Sequence, residues 1–185
     1  MFISTGQFVH DVLPGMMRGK KKFRVLMTNY NDLDIPPAPL GQRQRGLEIT
    51  VRSGGLEAYA FLEPKHRGET AVEQMERQAS VAQDAVERGT DNTERYDLAV
   101  VYLGLTGFDK ALMFALKLRR LGVASSVAVL TCDCDTSAKQ RKLERLICGG
   151  PITSALLTPH CGGQADLEEL YDGLLEVWPQ VRAKK

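Results

Sequence analysis

Several protein classes are closed off by what this 185-residue sequence lacks. No run approaches the roughly 20 apolar residues that a membrane-spanning helix requires. Cysteine is scarce and poorly spaced for a disulfide framework. Cys132 and Cys134 are too close for an easy mutual bridge, Cys148 falls at a predicted helix end, and a reducing compartment is expected. The net charge is only +1, so the chain as a whole is not a polyelectrolyte binder. Residues 1–22 lack the apolar core of a secretory signal, although one acid and a late basic cluster would also suit an organellar presequence. A cytoplasmic protein is therefore expected, with an organellar matrix as the alternative. Internal repeats and low-complexity tracts are absent too.

What is present is a 43% apolar chain, enough to bury the core of one domain. The stretch 96–158 organises it. Leu98–Leu103, Val127–Leu130 and Ile152–Leu157 are apolar on both faces, as strands covered by helices on each side are. Two helix-like runs alternate with them, and the order strand, helix, strand, helix, strand predicts right-handed βαβ crossovers and a parallel sheet. In the first helix, residues 111–116 are apolar nearly all round, basic residues crowd the last turn and Gly122 ends it. The second, from about Thr136, turns Leu143, Leu146 and Ile147 inward. The last helix opens at Asp166, with Glu169 completing a capping box, and is predicted to stop at Pro179.

The first third reads differently. Phe23–Tyr30 is a strand candidate, and NDLDIPPAPLGQRQRG after it is an extended loop. Leu47–Val51 and Glu57–Leu62 alternate apolar with polar around Ser53-Gly54-Gly55, which predicts an antiparallel hairpin. A capping box at Thr70–Glu73 begins a helix ending at Gly89. The expected fold is a three-layer α/β sandwich, its central sheet mainly parallel and extended by N-terminal antiparallel strands. Residues 1–22 form a basic arm, and 23–185 one domain: a strand-and-hairpin extension over 23–64 and a βα core over 96–178. The apolar residues of 2–13, closed by Pro14-Gly15, could dock on a protein partner or build an oligomer.

Charge is unevenly placed. Five of the seven residues Arg18–Arg24 are basic, whereas Glu63–Glu94 holds eight acids against four bases. Arg18, Lys20, Lys21, Lys22 and Arg24, with Lys139, Gln140, Arg141, Lys142 and Arg145 on the second helix, are the candidate contacts to RNA phosphates. The two central helices offer no aromatic residue for stacking on bases apart from Phe114, so base reading is not expected.

A second candidate site lies in the loops after the three central strands, where open α/β sheets bind ligands. Gly104-Leu-Thr-Gly107 is a small loop ahead of a helix, with Gly104, Thr106 and Gly107 able to approach a phosphate. It has neither the lysine of a P-loop nor the third glycine of a dinucleotide fingerprint, so no cofactor is implied. Asp133, Asp135, Thr136 and Ser137 follow the next strand, and His160 follows the third. Cys132, Cys134, Cys148, His160 and Cys161 match no common zinc spacing. His160-Cys161 has no third group to orient it as a nucleophile. These loops would make a flavodoxin-like enzyme or a small-ligand or nucleotide-binding domain, with no metal or catalytic residue assigned.

Val100-Val101-Tyr102-Leu103-Gly104, then Ala111, Ala115-Leu116-Lys117-Leu118 and Leu121-Gly122-Val123, then Ser137, Lys139-Gln140 and Gly149-Gly150 form a recognisable series. With them, residues 98–158 resemble the anticodon-binding domain of class II aminoacyl-tRNA synthetases, especially the histidyl, glycyl, threonyl and prolyl enzymes. The resemblance implies a mixed sheet flanked by three helices that grips an anticodon stem-loop. Because no class II catalytic motif precedes the unit, it implies a stand-alone, non-catalytic module associated with tRNA or a ribonucleoprotein.

Overall fold

The computed structural model describes residues 2–29, 44–52, 68, 95–103, 108–120, 122–132, 137–158 and 164–183. Their strands are β1 (Phe2–Ser4), β2 (Phe23–Asn29), β3 (Leu47–Arg52), β4 (Tyr96–Leu103), β5 (Ala124–Cys132) and β6 (Ser154–Thr158). The helices are α1 (Thr5–Gln7), α2 (Leu13–Met17), α3 (Phe108–Arg120), α4 (Ser137–Cys148) and α5 (Gln164–Ala183), with a π-helical segment Phe8–Val12 joining α1 to α2. The six strands form one sheet in the order β1-β6-β5-β4-β2-β3.

Every pairing in that sheet is parallel. The central unit is as expected: β4, β5 and β6 lie side by side, with Ala99 opposite Val127 and Ala128 opposite Ser154. Of the N-terminal extension, the strands described are parallel, and antiparallel ones are not shown. Strand β3 follows β2 in the same direction, Phe23 opposite Leu47 and Thr28 opposite Arg52, and β2 pairs in turn with β4. The chain between Asn29 and Leu47 therefore returns to the starting edge instead of reversing in a tight turn. The predicted return arm of the hairpin, 57–62, and the predicted helix 70–88 lie outside the described residues.

Successive side chains of each strand serve opposite faces. Val25 and Met27 of β2, Leu98 and Val100 of β4, Ala128 and Leu130 of β5 and Leu156 of β6 join one core. Leu26, Ala99, Val101, Val127, Val129 and Ala155 join the other, under α3 and α4. Burial of each large apolar side chain contributes about 1.5–3 kcal/mol. The sandwich thus has helices on both faces, as expected.

The first face is covered by α5 and by residues 3–17, so the predicted arm is corrected. Strand β1 pairs with β6, Phe2 opposite Ala155, and Phe8, Val9, Leu13 and Met17 are buried against the sheet and α5. The apolar residues expected to meet a partner are spent on the chain's own core. Pro14 does not close the run either. A proline in a helix lacks an N–H and presses on the carbonyl four residues back. Here the backbone passes it with π spacing, the Leu13 N–H reaching the Phe8 carbonyl. Close approach to α5 depends on Gly173, where an added Cβ would lie 2.5 Å from both Val9 methyls.

Pro179 likewise lies inside α5, which runs on to Ala183. Having no N–H, Pro179 leaves the Leu175 carbonyl without its helical donor. The Gln44 side-chain amide donates to that carbonyl instead. A group that sequence places in a distant loop thus allows the helix to continue.

Candidate nucleic-acid interface

In a parallel sheet with returning helices, strand starts and helix C-termini arrive at one edge. At this amino rim the described cations form a continuous belt. At its α5 end, Arg182 donates to the Arg45 carbonyl at 2.7 Å, and the Trp178 indole N–H donates to the same oxygen at 3.1 Å. The next residue, Gly46, has φ +88°, and an added Cβ would lie 2.7 Å from the Lys21 carbonyl oxygen. Glycine there lets the β3 approach lie against the β2 approach, and the Phe23 N–H donates to the Gly46 carbonyl at 2.7 Å.

The belt continues through ion pairs. Glu48 takes Lys22 at 2.6 Å and the Arg24 Nε at 3.1 Å. Its hydrogen bond with Lys22, helped by the charges of Lys22 and Arg24, holds the Glu48 carboxyl below its ordinary range against the opposing effect of burial. Asp97 accepts from Lys20 and, at 2.8 Å, from the Arg24 backbone N–H. Arg24 also donates to the Arg95 carbonyl at 2.8 Å, and Arg95 to that of Gly122 at 3.4 Å. Gly122 follows the end of α3, where Arg119 and Arg120 are exposed. Glu48 and Asp97 are the carboxylates of the belt among the described residues. Arg18, Lys21, Arg45, Arg119 and Arg120 form no ion pair among those residues.

Three of these cations lie over aromatic rings: Lys20 over Phe23 (5.9 Å), Arg24 over Tyr96 (5.2 Å) and Arg182 over Trp178 (5.7 Å). The rings are buried in the core, and Phe23 packs on Trp178 with centroids 6.2 Å apart. Each cation is thereby set on a rigid support.

Lys139, Gln140, Arg141 and Lys142 do not join this belt. Helix α4 starts after the C-terminal end of β5, at the opposite rim. There Lys142 pairs with Asp109 of α3 at 2.6 Å, and Lys139 lies over Phe108, 4.9 Å from the ring centre. These two lysines fasten α4 to α3. Gln140 is half-buried and Arg141 exposed, while Arg145, also exposed, stands in the last turn of α4, at its amino-rim end. Arg18, Lys20, Lys21, Lys22 and Arg24 all belong to the amino rim. Arg45, Arg95, Arg119, Arg120 and Arg182 are not among the phosphate contacts expected from the sequence, along which they are scattered; Arg119 and Arg120 read there only as cations favouring the helix dipole. A usable signal existed, since each stands just before a strand or in the last turn of a helix.

At the carboxyl rim, Gly104, Thr106, Gly107, Asp133, Asp135, Thr136 and His160 lie outside the described residues. Ser137 opens α4. The strand ends that carry these loops do share one edge, because β4, β5 and β6 are parallel neighbours. Cys134 and Cys161 are outside the described residues too, and Cys148 is a free, exposed thiol. Among the described residues, no helix is long and apolar enough to cross a membrane. No family model, curated protein or solved structure matches the chain.

Proposed function

We propose that this protein is a non-catalytic, nucleic-acid-associated module that holds phosphate backbone on the amino rim of its sheet. The supporting observation is the continuous belt from Arg182 to Arg119 and Arg120, in which cations outnumber the two carboxylates. Guanidinium forks and ammonium groups suit phosphate oxygens, and such contacts release counterions from the nucleic acid. The resemblance of residues 98–158 to an anticodon-binding domain supports RNA or a ribonucleoprotein as the partner, although that family's mixed sheet is not reproduced among the described strands. Filter binding of tRNA and ribosomal RNA over a salt series tests the reading. Affinity should fall steeply as salt rises, and absence of any salt-sensitive complex removes the proposal.

A second reading has its own observation. Leaving out β1, the strand order changes direction between β2 and β4, and doubly wound sheets bind small ligands at the carboxyl side of that point. The chain continues there from Asn29 and from Leu103, the latter into Gly104, Thr106 and Gly107. A phosphate-bearing small ligand would fit this flavodoxin-like arrangement. Thermal stabilisation by nucleotide, flavin or zinc, with none by RNA, would favour it.

A further inference from the structure

We infer that the nucleic acid held on the amino rim is double-stranded and is gripped through its backbone, whatever its base sequence; this rests on the reading proposed above. Proteins that take single strands combine a basic groove with aromatic faces on which bases stack. The belt has aromatic rings, but among the described residues none of them is open to a base. Phe23, Tyr96 and Trp178 are at most 2% exposed and already carry Lys20, Arg24 and Arg182. The same pairs fix their cations in place, as does the carboxylate of Glu48 between Lys22 and Arg24. A fixed array of charge matches a stiff partner, whose phosphates also stand at fixed positions.

The extent of the belt agrees. It begins on α5 over one face, crosses the strand starts and ends on α3 over the other face. Packed layers lie about 10 Å apart, so the belt reaches about 20 Å. That is enough to touch phosphates on both sides of a duplex groove about 6–12 Å wide. The rim offers no apolar wedge for a lipid surface, since Met113, midway along α3, is the exposed large hydrophobic residue among those described.

The test is fluorescence anisotropy on the full chain with four probes: duplex RNA and duplex DNA of mixed sequence, a single-stranded polyuridine of equal length, and vesicles of phosphatidylserine and phosphatidylcholine as competitor. The inference requires both duplexes to bind within about threefold of each other and at least about tenfold more tightly than the single strand. Replacing Arg119 and Arg120 together by Gln should lower the salt slope for duplex by about 2. Both are exposed, so an unchanged circular dichroism spectrum and melting midpoint should accompany the loss. Equal or tighter binding of polyuridine overturns the duplex inference and leaves the polyanion reading standing. No salt-sensitive binding to any nucleic acid removes both. Duplex binding that survives the Arg119/Arg120 change but is lost on replacing Arg141 and Lys142 overturns the amino-rim assignment. Vesicles that displace duplex at lower concentration than unlabelled duplex does overturn it in favour of a membrane.

Discussion

The two faces of the sheet are covered by different means. On one, α3 and α4 pack on the strands that immediately precede and follow them, so that core is assembled mainly from neighbours along 96–158, joined by Leu26 and Phe2. On the other, residues 3–17 and α5 meet across nearly the whole length of the chain, and their core includes Trp178, Phe8 and Phe23. A face built from sequential βα units carries its own instructions. A face closed by distant segments depends on complementarity, here a glycine opposite a valine and an amide opposite an orphan carbonyl.

Removing residues 1–17 should break the comparison most completely. It strips Phe8, Val9, Leu13 and Met17 from one core and takes the partly buried Phe2 from the α3–α4 face. The expected result is loss of a cooperative thermal transition while helical circular dichroism partly persists; a normal melt without the segment would show that it is the arm the sequence suggested. Next in size is Trp178→Ala, expected to cost about 3–5 kcal/mol in chemical denaturation through cavity formation. Gly173→Ala should cost about 1–3 kcal/mol, because the new methyl meets Val9. Adding Val9→Ala should recover part of that loss, and failure to recover it would mean that the two helices do not touch as described. Gln44→Leu leaves the Leu175 carbonyl without a donor and should cost about 1–3 kcal/mol, with amide exchange quickened around Pro179.

The smallest effect at neutral pH concerns Tyr171, whose hydroxyl is pushed up to about 12 by burial on this face. The folded state keeps the proton that the unfolded chain releases near pH 10. The stabilisation is therefore complete below about pH 10 and is lost as pH rises toward about 12. Tyrosinate absorbance during alkaline titration should show one residue ionising late, and an ordinary titration of every tyrosine would place Tyr171 in water.

The locally built face was legible in the sequence. Apolar runs at Leu98–Leu103 and Val127–Leu130 gave β4 and β5, and the stripe Leu143, Leu146, Ile147 gave α4, because strand and helix periods are short-range signals. The parallel course of β2 and β3 was not, since the pairing of Phe23 with Leu47 leaves no periodic trace. Pro14 and Pro179 misled for a related reason: each acts as a stop only when nothing else accommodates its missing N–H. In the candidate interface, Arg18–Arg24 stood out as a run. Lys139 and Lys142 looked available because Phe108 and Asp109, their partners, belong to another helix.

The seating of β1 beside β6 has a consequence for biosynthesis. Phe2 is synthesised well ahead of Ala155, so this edge of the sheet cannot zip up until β6 has been made. Until then Phe8 and Leu13 travel uncovered, a natural handhold for chaperones and the period in which a nascent chain is most exposed to aggregation.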